Sequence, residues 1–536
     1  MEKFFNVAFS PWIPVVDLKG QRRLVSLEEV FTEGERLADL QVRPQERVAL
    51  MRLFTCVAHA ALDGPKDLAA WKQVPDRLPG AVRAYLKKWE DAFWLFHPER
   101  PWLQVNGIDK GKGPCPADMQ DTAGWTPVSK LNFSYASGNN STLFDHGAMS
   151  GERLIPLEET ILSMLTYQCY SVGGLSAQVY WNGKQSNKSS KDGPCVTGSM
   201  LHALIRGKSL LQSVHLNLPS LQDVNRHYAG HGEGRPVWEA MPLNGQDQGP
   251  IKNATRTYLG RLVPLKRLMK LHRSGNCLLL GEGLDFPALV DGFPAEPTAT
   301  IVVRNTGKGK KVVPVRSYLA FRPGKAVWRE LTALLLKGVN QDDGRCLVLR
   351  NLHRQQELDL MVAAVARDQA DIVDHVESVF HVPSRLTSED GALCYEAEVR
   401  HAETLAGRKL AWAVETYRME LDAGWEGRLK SAGSSKGDLK AKLHSTATTH
   451  FWTRVETHLP LLMTFVDALG TDAAPVAQSA WRQAVRRAAE EAYETVCGKE
   501  TARQLRAFSL GWDKLVSMTR PESEGQPNDA EEEDDA

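Results

Sequence analysis

From residue 388 onward the chain is written in helical code, and nothing else in the sequence constrains the fold as strongly. In segment 436–469, Leu439, Leu443, Ala447, Phe451 and Val455 recur four residues apart, which lays one apolar face along a long helix. A helical run over 388–421 precedes it, a third over 474–496 follows with Pro475 suited to a first turn, and a fourth covers 499–518. Four helices on short links predict an antiparallel four-helix bundle over 386–520. Residues 1–385 read differently. They mix strand-like runs, helices and Gly/Pro-punctuated loops without a regular β-α alternation, so the expected class is α+β: a large irregular mixed α/β N-terminal domain followed by the C-terminal bundle.

A chain of 536 residues that is 42% hydrophobic can fill two or three such cores. No apolar run approaches the roughly 18 to 20 residues of a membrane helix, and the start MEKFFNVAFSPW lacks a signal peptide's basic opening and apolar middle, so a cytoplasmic location is expected. The eight cysteines stand singly, with no CxxC pair and no Cys/His cluster at zinc spacing, which supports neither a disulfide frame nor a structural metal. Formal net charge is zero, yet residues 521–536 hold eight acids and no base. That tail reads as disordered, and the rest carries 65 basic against 57 acidic residues, a balance compatible with a polyanionic partner.

Catalytic signatures are missing. There is no GxxxxGK[ST] phosphate loop, no HExxH and no GxSxG elbow. The GEG at 281–283 reads as a strand-end turn. His444 and His450, six apart on a helix, do not share a face as a metal pair would, and His375 and His381 read as structural. Neither a cofactor nor a metal is expected.

Three features carry more. Gly173 and Gly174 follow the helix-like TILSMLTYQCY, where paired glycines fit either a helix C-cap or a backbone that something approaches closely. Bases gather in three places: Lys184, Lys188 and Lys191 in the long loop 182–194; Lys308, Lys310 and Lys311 at a hairpin-like tip; and Lys252, Arg256, Arg261, Lys266, Arg267, Lys270 and Arg273 along one stretch. Such side chains can neutralise phosphates or simply form solvated faces. Loops 134–151 and 229–236 are also long enough to suggest function or disorder. Third, the polar tip ARDQAD at 366–371 sits between LDLMVAAV and IVDHVESVFHVP, both suited to strands.

In order along the chain, PWIPVVD, LVSLEEVF, FWLFHPERPWLQV, ALIRGKSLLQSVHLNLPSL, RPVWE, LDLMVAAVARDQADIV and HSTATTHFWTRVETHLPLL resemble the CasA family, the large subunits of type I-E CRISPR surveillance complexes called Cascade. The resemblance spans nearly the whole chain. It implies a protein that is not an enzyme, which recognises the protospacer-adjacent motif in double-stranded DNA, helps open the duplex for R-loop formation and offers a docking surface to a separate helicase-nuclease. Implied partners are the CRISPR guide RNA, target DNA and the backbone and small subunits.

Residue by residue, the family's glycine loop falls on Val172, Gly173, Gly174 and Leu175, against the minor-groove edge of the motif. The guide-RNA handle site falls on Asn132, Phe133 and Tyr135, and the duplex wedge on Asp368, Gln369 and Ala370. The chain departs from some members in lacking CxxC pairs, so no metal role is carried over. Asp368 stands where the family has an amide, and Asp285 lies where a motif-contacting lysine is expected. Two other classes remain open, a metal-dependent nuclease using scattered His, Asp and Glu, and a purely structural ribonucleoprotein scaffold.

Overall fold

Helix Pro44–Leu62 carries apolar side chains around nearly its whole circumference, a pattern that belongs at the centre of a core. The structure, a computed structural model, describes residues 5–111, 120–135, 154–306, 313–335, 345–350, 357–369, 371–423 and 434–519. In it this helix is buried along most of its length and packs on helices Val74–Lys88 and Leu157–Tyr170 and on strand Leu358–Asp368. The chain divides into two compact units, Met1–Thr387 and Ser388–Ala536.

Every strand pairing among the described residues of the first unit is antiparallel, and its sheets have two or three strands each, some of them joining strands distant in sequence. Two of them position the candidate site. His202–Arg206, Leu358–Asp368 and Asp371–Val382 form one sheet, with Leu358–Asp368 in the middle; Thr126–Pro127, Cys277–Glu282 and Arg267–Leu271 form another, with Cys277–Glu282 in the middle. The core also contains an ionic cluster. Arg52 donates to Glu296 at 2.9 Å and Arg261 donates to the other carboxylate oxygen at 2.5 Å, with all three side chains at most 3% exposed. Burial alone would raise the Glu296 carboxyl; the two guanidiniums overcome that and hold it below the usual carboxylate range.

In the second unit Ser388 caps helix Glu389–Thr404 by accepting from the Gly391 N–H, and a π-helical turn, Leu405–Leu410, carries it into Ala411–Ala423. The segment expected as one long helix is two, Ser434–Thr457 and Leu459–Asp467. Pro460 explains the break: it has no N–H for the helical ladder, and its ring clashes with the carbonyl four residues back. Helices Ala474–Val496 and Ala502–Thr519 follow. Ala411–Ala423 packs on Ala502–Thr519, and Ala474–Val496 packs on both halves of the broken helix. Of the four-apart positions, Ala447, Phe451 and Val455 are buried.

Candidate nucleic-acid interface

The tip at 366–371 is a hairpin end. Asp368 pairs with Asp371 at its end; Ala370 lies outside the described residues, as do Lys308, Lys310, Lys311, most of the 134–151 loop and the acidic tail. The register slips between Ala366 and Arg367, a bulge of the kind that re-aims a strand end. Gln369 sits at φ +50°, a left-handed conformation that costs a non-glycine residue about 1–2 kcal/mol. Strand Leu358–Asp368 is buried from Leu360 to Ala366, so the exposed tip stands on a rigid base.

The glycine loop is held just as firmly. Helix Leu157–Tyr170 ends at Ser171, whose backbone is not left-handed, so neither glycine is the helix cap that the sequence allowed. Gly173 is needed because a Cβ there would meet the Ser190 carbonyl oxygen at 2.9 Å. Gly174 and Leu175 pair with Ser190 and Ser189, the Val172 carbonyl accepts from Arg267 at 3.0 Å, and the Gly173 N–H donates to Asp192 at 2.9 Å. What faces outward is the Gly174 backbone and Leu175, which is 86% exposed.

These contacts correct two expectations. The loop 182–194 is not structureless: Tyr180–Trp181 and Lys184–Gln185 pair across an Asn182-Gly183 turn, both central residues at positive φ, and Ser189–Ser190 completes the glycine-loop ladder. The basic stretch 252–273 is not one surface face. Arg261 is in the Glu296 cluster, while Lys266 and Arg267, both buried, share Glu282, with Lys266 at 2.7 Å. Burial pulls the Lys266 ammonium below its ordinary pKa, an effect Glu282 partly offsets. Lys184 and Lys188 are exposed. Lys191 pairs with Asp285 at 2.8 Å, and this hydrogen bond and charge hold its ammonium above the ordinary value.

Helix Leu157–Tyr170 also organises Asn132, Phe133 and Tyr135. Asn132 is buried, accepts from Arg43 at 2.7 Å and donates to Glu159 at 2.9 Å; the Tyr135 hydroxyl donates to the same Glu159 oxygen at 2.6 Å. Phe133, half-buried against the core, stacks on Tyr167 with centroids 5.6 Å apart.

Two residues that the sequence reading did not single out join the loop to the hairpin. Asp192 Oδ1, which accepts the Gly173 N–H, also accepts from Arg367 at 2.8 Å, and the same guanidinium nitrogen donates to the Gln369 carbonyl at 3.1 Å. Positions 173 and 369 are thus linked through one carboxylate and one guanidinium. The 175-residue separation of Asp192 and Arg367 leaves no local signal from which to find the pair.

Comparisons with known proteins place the chain beside CRISPR-associated proteins. The profile for CRISPR-associated protein Cse1 matches residues 6–492. The CasA/Cse1 protein of Thermus thermophilus is 29% identical over 427 residues, 76% of each chain. Among solved structures, Thermus thermophilus CasA superposes with a TM-score of 0.72 at 21% identity, covering 97% of this chain and 99% of that one. Cse1 from Acidimicrobium ferrooxidans gives 0.73 at 20% identity, covering 97% and 98%. A chain of a CRISPR RNA-guided surveillance complex gives 0.68 at 19% identity, covering 96% and 99%.

Proposed function

This chain belongs to the CRISPR-associated Cse1 family, and from that premise we propose that it is the non-catalytic large subunit of an RNA-guided surveillance complex acting in the cytoplasm. In this reading Val172, Gly173, Gly174 and Leu175 lie against the minor groove of the flanking motif. That groove offers a degenerate donor and acceptor pattern, so a backbone-lined loop reads it permissively. Asp368, Gln369 and Ala370 enter the stack beside the motif and part the first base pair, where the Gln369 amide offers a donor and an acceptor to an unpaired base. Replacing duplex by guide heteroduplex is nearly balanced overall, so opening the first pairs is the difficult step.

The observation that carries this reading is the link from Gly173 through Asp192 and Arg367 to Gln369, which makes neighbours of a motif-reading loop and an opening tip. Phe133 and Tyr135, on a path set by Asn132, receive the 5′ handle of the guide RNA. Lys184, Lys188 and Lys191 contact phosphates, with Lys191 beside Asp285 supplying a base near the place where the resemblance calls for one. The second unit forms a four-helix bundle that meets the other subunits, and the assembly recruits the helicase-nuclease once the R-loop is made. The test is a binding series with the reconstituted complex on DNA whose flanking motif is randomised. Enrichment of a restricted motif set is the expected result, and equal retention of every motif would overturn the reading.

A further inference from the structure

We infer that Asp192 and Arg367 form a strut through which the seated glycine loop fixes the hairpin tip, making both of them positioning residues for duplex opening. This rests on the reading of the loop and tip given above.

The strut is anchored at both ends. Asp192 lies in a segment locked to the end of helix Leu157–Tyr170: the Gly193 N–H donates to the Ser171 carbonyl at 2.7 Å and the Cys195 N–H to the Cys169 carbonyl at 3.0 Å. A Cβ on Gly193 would meet the Cys169 oxygen at 2.4 Å, so this segment has no room to drift. At the other end the Arg367 N–H donates to Ser199 Oγ at 3.2 Å, which fixes the strand where the register slips. Between these anchors one carboxylate oxygen takes both the loop's N–H and the hairpin's guanidinium. The side chains are 16% and 31% exposed, so their charge-assisted bond is partly sheltered from water and salt. Arg367 also holds the carbonyl of Gln369, the residue in the strained conformation, and such strain persists only where neighbours over-determine it. Without Arg367 nothing else on the hairpin's described side chains bonds that carbonyl, and the tip would relax away from the loop.

The test is a double-mutant cycle in the reconstituted complex. Arg367→Met and Asp192→Asn each remove the ion pair while leaving an oxygen to accept the Gly173 N–H. Affinity is measured on fully paired targets and on targets whose first base pairs beyond the motif are mismatched. Each single variant should lose about tenfold on paired DNA, the double variant should be no worse than either, and all should recover most binding on the pre-opened target. The dependence of affinity on salt should keep the wild-type slope. Additive losses would overturn the strut, as would equal losses on both targets, which mark a fold defect, or a slope reduced by about one, which marks Arg367 as a phosphate contact. Gln369→Gly measured alongside separates the levels. If it is defective on paired DNA while the cycle is additive, only the strut fails; if it binds paired DNA as wild type does, the wedge reading itself fails.

Discussion

Gln369 occupies a backbone conformation that glycine would adopt without penalty. If fold stability alone set this position, glycine would be the better residue, and the proposed wedge role gives the amide side chain a use outside folding. Gln369→Gly should therefore leave the protein folded and raise its stability by up to about 1 kcal/mol, read as a small rise in denaturation midpoint, while target binding weakens. A loss of stability would show that the side chain is part of the hairpin's own packing. His202 shows the opposite arrangement, a side chain given wholly to the fold. It is fully buried, its Nε2–H donates to the Cys195 carbonyl and its Nδ1 accepts from Thr298, both at 2.8 Å.

The elements differ in how much of them the sequence exposes. The strands around the tip were legible because β-branched residues run on both sides of a short polar break, and helix Ala474–Val496 because its apolar period and Pro475 agree. Pro460 is the sequence signal for the break in the long segment, and the apolar period from Leu439 to Val455 stops short of it. Strands of two residues, such as Tyr180–Trp181, give no period at all, and only the Asn-Gly turn marks them. The loop at Gly173 was ambiguous because a C-cap and a close approach both require a glycine, and only the position of Ser190 decides between them. Gly173→Ala should push the loop off its strand partner at a cost of about 1–3 kcal/mol. Binding should then fall alike on paired and pre-opened DNA, measured beside the melting temperature. Unchanged melting and binding would mean that the loop has room which the 2.9 Å approach denies it.

Across the whole molecule, buried charge was the least legible feature, since Arg261, Lys266 and Arg267 look like surface bases until their carboxylate partners and their burial are known. The same burial predicts a pH dependence. Burial lowers His202 and His227 to about 4, although hydrogen bonds to backbone carbonyls favour their charged forms. The unfolded chain therefore binds more protons than the folded one between about 6.5 and 4, so stability is lost as pH falls through that window, by roughly 3 kcal/mol for each histidine over its full width. Denaturation at pH 7.5 and pH 5 should show the loss, and His202→Gln should roughly halve the difference whatever it does to absolute stability, since His227 remains; an unchanged difference would mean that His202 does not contribute to it. In the proposed function the tip and the loop act as one opening device. The most direct measurement compares the reconstituted complex carrying Asp368, Gln369 and Ala370 all changed to glycine on a fully paired target and on one whose first base pairs beyond the motif are mismatched. Parting those pairs in advance removes a cost of a few kcal/mol per unstacked step. Binding should be weak on the paired target and near wild type on the pre-opened one, and equal defects on the two would rule out the wedge.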